Sequence, residues 1–198
     1  MATVVVPFRS TDPKSRLAAL SERDRVRLAE AMLADVLAAA APVGSLVVVS
    51  PEAPALPDGA LHVPDPKRGQ GAAVEAALDA ASGAGLPAPY LVVNADLPCA
   101  TSRDLLALAG AVPDGGLALV AAADGTTNAL GLSTSVIFEP VYGPGSAERF
   151  AALGDSMRLD APNLADDVDT VGDLLRLGER LGEHTRRVFT ALRLETAA

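Results

Sequence analysis

Two hydrophobic periodicities alternate along the chain. Short apolar runs rich in Val and Leu have the length of buried strands, and polar or proline-containing segments separate them. Because successive positions in these runs are apolar, they are typical of strands covered on both faces of a sheet. We predict strands at residues 3–8, 45–49, 61–63, 90–93, 116–124 and 129–138.

Segments with apolar residues every three or four positions lie between the predicted strands and indicate helices. Ser21 with Asp24 resembles a capping box before one such segment, and Thr170 with Asp173 repeats the pattern. Helices are predicted from Ser21 onward and at residues 71–81, from Thr101 or Ser102 to 108, from Ser146, at 171–181 and at 184–194. The alternation predicts one α/β domain over residues 1–198, a three-layer α/β/α sandwich with a mostly parallel mixed sheet.

Composition and charge narrow the classes of ligand. Hydrophobic residues make up 49% of the 198 residues, which excludes a disordered chain. The formal net charge is −9, from 25 acidic and 16 basic residues. A general nucleic-acid-binding protein carries a basic surface, so we expect no nucleic-acid partner. A nucleotide ligand needs only a local patch of basic residues.

Cysteine and histidine are scarce, which excludes other kinds of site. Cys99 is the single cysteine, so no internal disulfide can form and a cytoplasmic setting is the default. His62 and His184 lack the spacing of zinc ligands. No signal peptide is visible, and no apolar run reaches the ~20 residues of a membrane helix. We therefore expect a cytoplasmic protein with no membrane contact.

Acidic residues follow the predicted strands. Asp96 comes after the strand at 90–93, and in parallel α/β sheets ligands bind outside the carboxyl ends of the strands. A loop cap and a metal ligand both remain open for Asp96. Asp167 and Asp169 flank Val168, so their side chains point the same way if this segment is extended. Such carboxylates suit magnesium bound together with substrate phosphates, and a solvated acidic loop is the alternative.

Two further segments could bind anions. Arg9, Lys14 and Arg16 lie together after the first strand, where cations can hold a triphosphate, although neither glycine-rich phosphate fingerprint is present. A solvated basic loop is the alternative. Residues 143–145 form a glycine turn before Ser146, which predicts either an anion site at a helix start or an ordinary helix cap.

Four segments, taken in order, resemble a known family. They read VVPFRSTDPKSRL, VVNADLP, GTTNAL with YGPGSAERF, and DDVDT. This order resembles the 2-phospho-L-lactate or phosphoenolpyruvate guanylyltransferases of coenzyme F420 biosynthesis. These are nucleotidyltransferases with a glycosyltransferase-A-like, nucleotide-diphospho-sugar-transferase-like fold. The resemblance implies transfer of GMP from GTP to the phosphate of a three-carbon acceptor, with release of pyrophosphate.

The resemblance also implies roles for individual residues. Asp96, Asp167 and Asp169 correspond to the magnesium (Mg2+) ligands, and Lys14 and Arg16, with Asp96, to the catalytic residues. Residues that would bind the nucleotide are Arg9, Lys14, Gly69, Gln70 and Gly71, the last three against the guanine base. Residues that would bind the acceptor are Thr127, Asn128, Gly143 and Ser146.

The chain departs from the family pattern at several positions. Asn94 and Ala95 precede Asp96 where relatives often have a glycine, and Phe150 replaces a histidine common after the glycine turn. The base loop reads GQGAA where a leucine–asparagine pair is common. The alternatives are a molybdenum-cofactor guanylyl- or cytidylyltransferase and a non-catalytic nucleotide-binding partner. The choice between phosphoenolpyruvate and 2-phospho-L-lactate stays open, and so does a homodimer through the C-terminal helix.

Overall fold

The described part of the chain contains seven strands and seven α-helices. The computed structural model describes residues 1–9, 17 and 20–197, with side chains up to residue 192. The strands are β1 (Ala2–Pro7), β2 (Gly44–Ser50), β3 (Leu61–Pro64), β4 (Tyr90–Val93), β5 (Leu117–Ala121), β6 (Thr127–Leu132) and β7 (Ser156–Arg158). The helices are α1 (Glu22–Ala40), α2 (Gln70–Gly83), α3 (Ser102–Ala111), α4 (Ser146–Ala151), α5 (Pro162–Ala165), α6 (Val171–Leu177) and α7 (Glu183–Ala197).

All seven strands form one mixed sheet in the order β3-β2-β1-β4-β6-β5-β7. Strands β1 to β4 are parallel to one another, whereas β6 runs antiparallel to both of its neighbours, β4 and β5. The beginning of β6 therefore lies beside the carboxyl end of β4, with Ala129 opposite Val93. This edge of the sheet collects the carboxyl ends of β1 to β4 and the first residues of β6.

The helices cover both faces of the sheet, as predicted. Val4 and Val6 of β1 pack with α1, α3 and α5, whereas Val5 points to the other face and packs with α2 and α4. Each of these valines is fully buried. Burial of such a side chain contributes roughly 1.5–3 kcal/mol, so the alternating strand pattern stabilises both outer layers at once.

Several predicted elements are wrong in extent. The strand predicted at 129–138 ends at Leu132, and a 3-10 turn follows at Ser135–Ile137, where Val136 is exposed. The helix predicted at 171–181 stops at Leu177, because Gly178 adopts a positive φ of 49° and a 3-10 turn follows. Strand β7 and helix α5 were not predicted, since both are short and lack an apolar run.

A buried carboxylate attaches the C-terminal helix α7 to α1. Asp35 of α1 accepts hydrogen bonds from the backbone N–H groups of His184 and Thr185, each at 2.9 Å. Gly182 precedes these residues, and a Cβ there would collide with the Asp35 carboxyl group. Asp35 thus supplies the acceptors that the first turn of α7 lacks and places a negative charge at its N-terminus.

We expect Asp35→Ala to destabilise the fold by about 1–3 kcal/mol, because two backbone N–H groups, one of them buried, lose their acceptor. Urea denaturation monitored by circular dichroism measures this change in the free energy of unfolding. Asp58→Ala is the matched control, since Asp58 lies exposed in a loop and its loss should cost less than about 0.5 kcal/mol. Equal effects of the two substitutions would contradict the capping role of Asp35.

Candidate active site

A cavity of about 370 Å³ opens at the edge of the sheet where β1 to β4 end. The polar residues of its wall are Arg9, Arg25, Asp65, Gln70, Asn94 and Asp96. The structure therefore brings together three residues predicted from the sequence, Arg9, Gln70 and Asp96. Lys14 and Arg16 lie outside the described residues.

Arg9 is anchored in the cavity wall by a buried carboxylate. Its Nε donates to Asp65 Oδ2 at 2.8 Å, and the Asp65 side chain is only 2% exposed. Asp65 Oδ1 also accepts from the backbone N–H of Lys67 at 2.7 Å. Arg9 is therefore held in place by a buried partner. Asp65 follows β3 directly, so the strand-end criterion that identified Asp96 could also have found it.

Arg25 is a cavity residue that sequence reasoning missed. Its Nη1 donates to the Leu20 carbonyl at 3.1 Å, and its buried Nε makes no hydrogen bond within the described part of the chain. Among the described residues it forms no ion pair with an acid. Arg25 belongs to the first turn of a polar helix segment, where nothing in the sequence separates it from Arg23 and Arg27. Only the packing of α1 over the cavity identifies it.

The start of α2 needs glycine on both sides of Gln70. Gly69, the N-cap residue, has a φ of 97°, which side chains rarely adopt. Gly71 packs against Pro140, and a Cβ at Gly71 would lie 2.5 Å from the Pro140 Cβ. These two constraints fix the position of Gln70 at the cavity. Of the three residues predicted to lie against the guanine base, Gln70 thus lines the cavity, and Gly69 and Gly71 determine the backbone conformation on either side of it.

Asn94 connects the start of α2 to β6. Its Oδ1 accepts from Gln70 Nε2 at 2.8 Å, and its Nδ2 donates to the Thr127 carbonyl at 3.3 Å. Its backbone N–H donates to the Asn128 carbonyl at 3.0 Å. The residue that departs from the family pattern before Asp96 therefore joins the cavity to the predicted acceptor residues.

Thr127, Asn128 and Ser146 form a buried polar group beside the cavity. The hydroxyl oxygens of Thr127 and Ser146 lie 3.1 Å apart, and Asn128 Nδ2 donates to the Ala165 carbonyl at 3.0 Å. Ser146 is fully buried, and the other two side chains are almost so. Ser146 is not the cap of α4, because Gly145 occupies that position with a φ of 70°. The Ser146 hydroxyl instead lies within hydrogen-bonding distance of the Thr127 hydroxyl.

The acidic segment before α6 lies against the end of β4. The backbone N–H of Val168 donates to the Asp96 carbonyl at 3.1 Å. Val168 is fully buried, and Asp167 and Asp169 stand on either side of it. Asp167 Oδ1 is 3.5 Å from Asn128 Nδ2. The three predicted metal ligands therefore come from two segments that are in main-chain contact.

Asp166, the first acid of this segment, has a structural role. It forms ion pairs with Arg176 at 2.8 Å and Arg180 at 2.7 Å. Burial raises the pKa of Asp166, but the hydrogen bonds from Arg180 and Arg176 outweigh it and hold the pKa below its usual value. Thr170 forms the predicted capping box with Asp173 at the start of α6. Capping and ion pairs thus fix the segment that carries Asp167 and Asp169.

The donor set fits magnesium held by few protein ligands. Asp96 Oδ1 is shielded from solvent at the cavity wall, and Asp167 and Asp169 belong to the adjoining segment. Magnesium commonly takes one or two carboxylates and completes its octahedron with water and substrate phosphates. Residues 1–9, 17 and 20–192 contain no group of three His, Cys, Asp or Glu side chains arranged for a metal ion. A site with all three aspartates stays a prediction.

Phe150, which replaces a common histidine, belongs to the core. It is fully buried, and its ring contacts Tyr142 edge to face at a centroid distance of 5.0 Å. Phe138 lies 6.2 Å from both rings. Tyr142 directly precedes the turn at residues 143–145, so this aromatic cluster adjoins the turn. Phe150 therefore packs in the core, where a histidine would offer a polar side chain, and it contributes no polar group to the site.

Comparison with known proteins gives matches over most of the chain. A family model described as "Guanylyl transferase CofC like" matches residues 2–177, which span β1 to α6. A phosphoenolpyruvate guanylyltransferase from Nocardia farcinica is 37% identical over 91% of this chain and 87% of its own. A 2-phospho-L-lactate guanylyltransferase from Natrialba magadii is 32% identical over 88% of this chain and 82% of its own.

Solved structures share the fold at low sequence identity. A Desulfovibrio desulfuricans protein assigned as a nucleotide-diphospho-sugar transferase superposes with a TM-score of 0.75 at 18% identity, covering 100% of this chain and 96% of that one. A 2-C-methyl-D-erythritol 4-phosphate cytidylyltransferase from Thermus thermophilus gives 0.57 at 14% identity, covering 98% and 100%. These similarities confirm the predicted fold class. None of the helices in the described part could cross a membrane.

We expect Gly71→Ala to weaken binding of a guanine nucleotide about tenfold, because the added Cβ forces the start of α2 away from Pro140 and moves Gln70. Titration with a fluorescent GTP analogue measures the Kd. Gly83→Ala is the matched control at the other end of the same helix, where a Cβ would meet nothing within 4 Å. An equal Kd for both variants would show that nucleotide binding does not depend on the start of α2.

Proposed function

Because the chain belongs to the family of CofC-like guanylyl transferases, we propose that it transfers GMP from GTP to the phosphate of phosphoenolpyruvate in coenzyme F420 biosynthesis. 2-Phospho-L-lactate is the alternative acceptor. Relatives at 33–37% identity over about nine tenths or more of this chain are named phosphoenolpyruvate guanylyltransferases, which favours the first acceptor.

The observation that carries the proposal is the link between a charged cavity and a buried polar group. Arg9, Arg25 and Asp96 line the cavity, which suits a magnesium-bound triphosphate. Asn94 bridges from the cavity to Thr127, whose hydroxyl lies beside that of Ser146. A nucleotide and a small phosphorylated acid could thus bind side by side at one edge of the sheet.

In the proposed reaction, an oxygen of the acceptor's phosphate attacks the α-phosphorus of GTP in line. The new phosphoanhydride bond forms as the bond between the α-phosphorus and the bridging oxygen breaks, and pyrophosphate leaves. The attacking phosphate is already an anion near neutral pH, so no general base is needed. This agrees with a cavity wall that contains no histidine among the described residues. Catalysis then depends on positioning and on stabilisation of charge.

Cationic side chains would stabilise the triphosphate and the leaving pyrophosphate. Arg9 and Arg25 lie in the cavity wall, and we assign the same role to Lys14 and Arg16. Asp96, with Asp167 or Asp169, would hold magnesium, which neutralises phosphate charge when bound.

The acceptor would bind at the turn of residues 143–145. Its phosphate and carboxylate are anions, and backbone N–H groups of a glycine turn can approach them closely. Thr127 and Ser146 form the floor beside this turn, and Asn128 fixes the adjoining segment. Phosphoenolpyruvate and 2-phospho-L-lactate differ in shape at one carbon, so the packing around this floor would decide between them.

We expect Asp96→Asn to lower kcat at least about a hundredfold, because the neutral amide removes a metal ligand of similar size. The assay is pyrophosphate release with GTP and magnesium, offered phosphoenolpyruvate or 2-phospho-L-lactate separately, with ATP and CTP as controls. Asp58→Asn, in an exposed loop, should leave the rate unchanged. Full activity of Asp96→Asn would refute the assigned role, and absence of release by the wild type would favour a nucleotide-binding partner without catalysis.

We expect Ser146→Ala to raise KM for the acceptor about tenfold and leave KM for GTP nearly unchanged, because its hydroxyl belongs to the acceptor floor. Steady-state kinetics with each substrate varied in turn measures both constants. Thr127→Val should show the same selectivity, since its hydroxyl is the partner of Ser146. A similar rise in both KM values would assign Ser146 to the fold alone.

A further inference from the structure

The guanidinium group of Arg149 donates hydrogen bonds to the backbone of residues 141–145, the segment that contains the glycine turn. Its Nε and Nη2 donate to the Val141 carbonyl at 3.1 and 2.9 Å, and Nη2 also donates to the Tyr142 carbonyl at 3.2 Å. Its Nη1 donates to the Pro144 carbonyl at 2.7 Å. Arg149 lies in α4, immediately after this turn. One side chain thus holds three carbonyl groups in a fixed arrangement.

Arg149 differs from several other arginines of the chain in the groups that it binds. Arg158 pairs with Glu148 of α4 at 2.6 Å, and Arg9, Arg176 and Arg180 also pair with acids. Among the described residues, Arg149 forms no ion pair. Its hydrogen bonds go to neutral carbonyl groups, so its positive charge stays uncompensated by a carboxylate at the turn.

The orientation of the carbonyls determines where the neighbouring amides point. A trans peptide group is planar, with its C=O and N–H on opposite sides. Since three carbonyls point at the guanidinium, the N–H groups of Tyr142, Gly143 and Gly145 point away from it. None of these three N–H groups donates a hydrogen bond to another described residue. Each of these three donors therefore faces away from Arg149 and is available to a ligand.

The turn itself would not keep this arrangement without support. Gly143 has a φ of 109° and Gly145 a φ of 70°. Glycine adopts such positive φ values about as readily as negative ones, so an unfolded chain has no preference for this turn conformation. The main-chain bond from Ser146 N to the Gly143 carbonyl closes only part of the turn. Arg149 therefore supplies most of the hydrogen bonds that fix the peptide planes of residues 141–145.

We infer that Arg149 is a positioning residue for the acceptor: by holding three carbonyls of the turn, it aims the N–H groups of Tyr142, Gly143 and Gly145 at an anionic group of the three-carbon substrate. This inference rests on the proposed function, and it adds a residue that touches neither substrate. The uncompensated guanidinium also makes the turn favourable for an anion.

The kinetic test compares Arg149→Ala with Arg158→Ala, which removes the same charge beside the same short helix. For Arg149→Ala we expect KM for phosphoenolpyruvate to rise at least about tenfold, with KM for GTP unchanged. Arg158→Ala should match the wild type in both. Arg149→Lys should resemble Arg149→Ala, because one ammonium group cannot hold three carbonyls as the planar guanidinium does. Added guanidinium ion at millimolar concentration should partly restore Arg149→Ala.

The outcomes separate this inference from the proposed function. Normal kinetics of the wild type together with an unchanged acceptor KM in Arg149→Ala would overturn the positioning role and leave the function standing. Full rescue by Arg149→Lys would overturn it too, since charge alone would then suffice. An equal rise in both KM values would assign Arg149 to overall folding.

A binding measurement tests the same inference without turnover. Titration of the isotope-labelled protein with phosphoenolpyruvate should shift the amide resonances of Gly143 and Gly145 in the wild type and in Arg158→Ala. In Arg149→Ala the same titration should leave them in place. Equal shifts in all three proteins, or no shift of these amides in the wild type, would overturn the inference even if no pyrophosphate were ever released.

Discussion

The antiparallel pairing of β6 with β4 is the constraint on which the site depends. It places Ala129 opposite Val93, and the bond from Asn94 N to the Asn128 carbonyl continues the ladder past the strand end. A parallel β6 would have sent Thr127 to the far edge of the sheet. Because it runs antiparallel, its first residues meet the carboxyl end of β4. The cavity and the buried polar group of Thr127, Asn128 and Ser146 thereby share one edge of the sheet.

Hydrogen bonds between polar side chains then fix individual residues around that edge. Asp65 holds Arg9, Asn94 joins Gln70 to Thr127, and Thr127 faces Ser146. Each of these bonds contributes only about 1 kcal/mol net to stability, far less than the valine core beneath them. Their main effect is therefore geometric: the core supplies the stability, and the polar bonds decide where the charged and amide groups point.

Much of this arrangement could be predicted from the sequence. The apolar runs at β1, β2 and β4 and the capping signals of Ser21 and Thr170 were correctly identified, since both kinds of signal depend on neighbours in the chain. The predicted ends of β6 and α6 were wrong, because the apolar pattern continues past both elements. An exposed turn ends β6, and a glycine with a positive φ ends α6. Strand β7 exists only through its pairing with β5.

By itself, the sequence determined the fold class, the strand ends that carry Arg9 and Asp96, and the resemblance that the family match confirmed. These follow from local periodicity and from motifs contiguous in the chain. The tertiary structure alone decided that Asp65 orients Arg9, that Arg25 lines the cavity and that Phe150 belongs to the core. Such contacts join residues distant in sequence, whose packing no local pattern encodes.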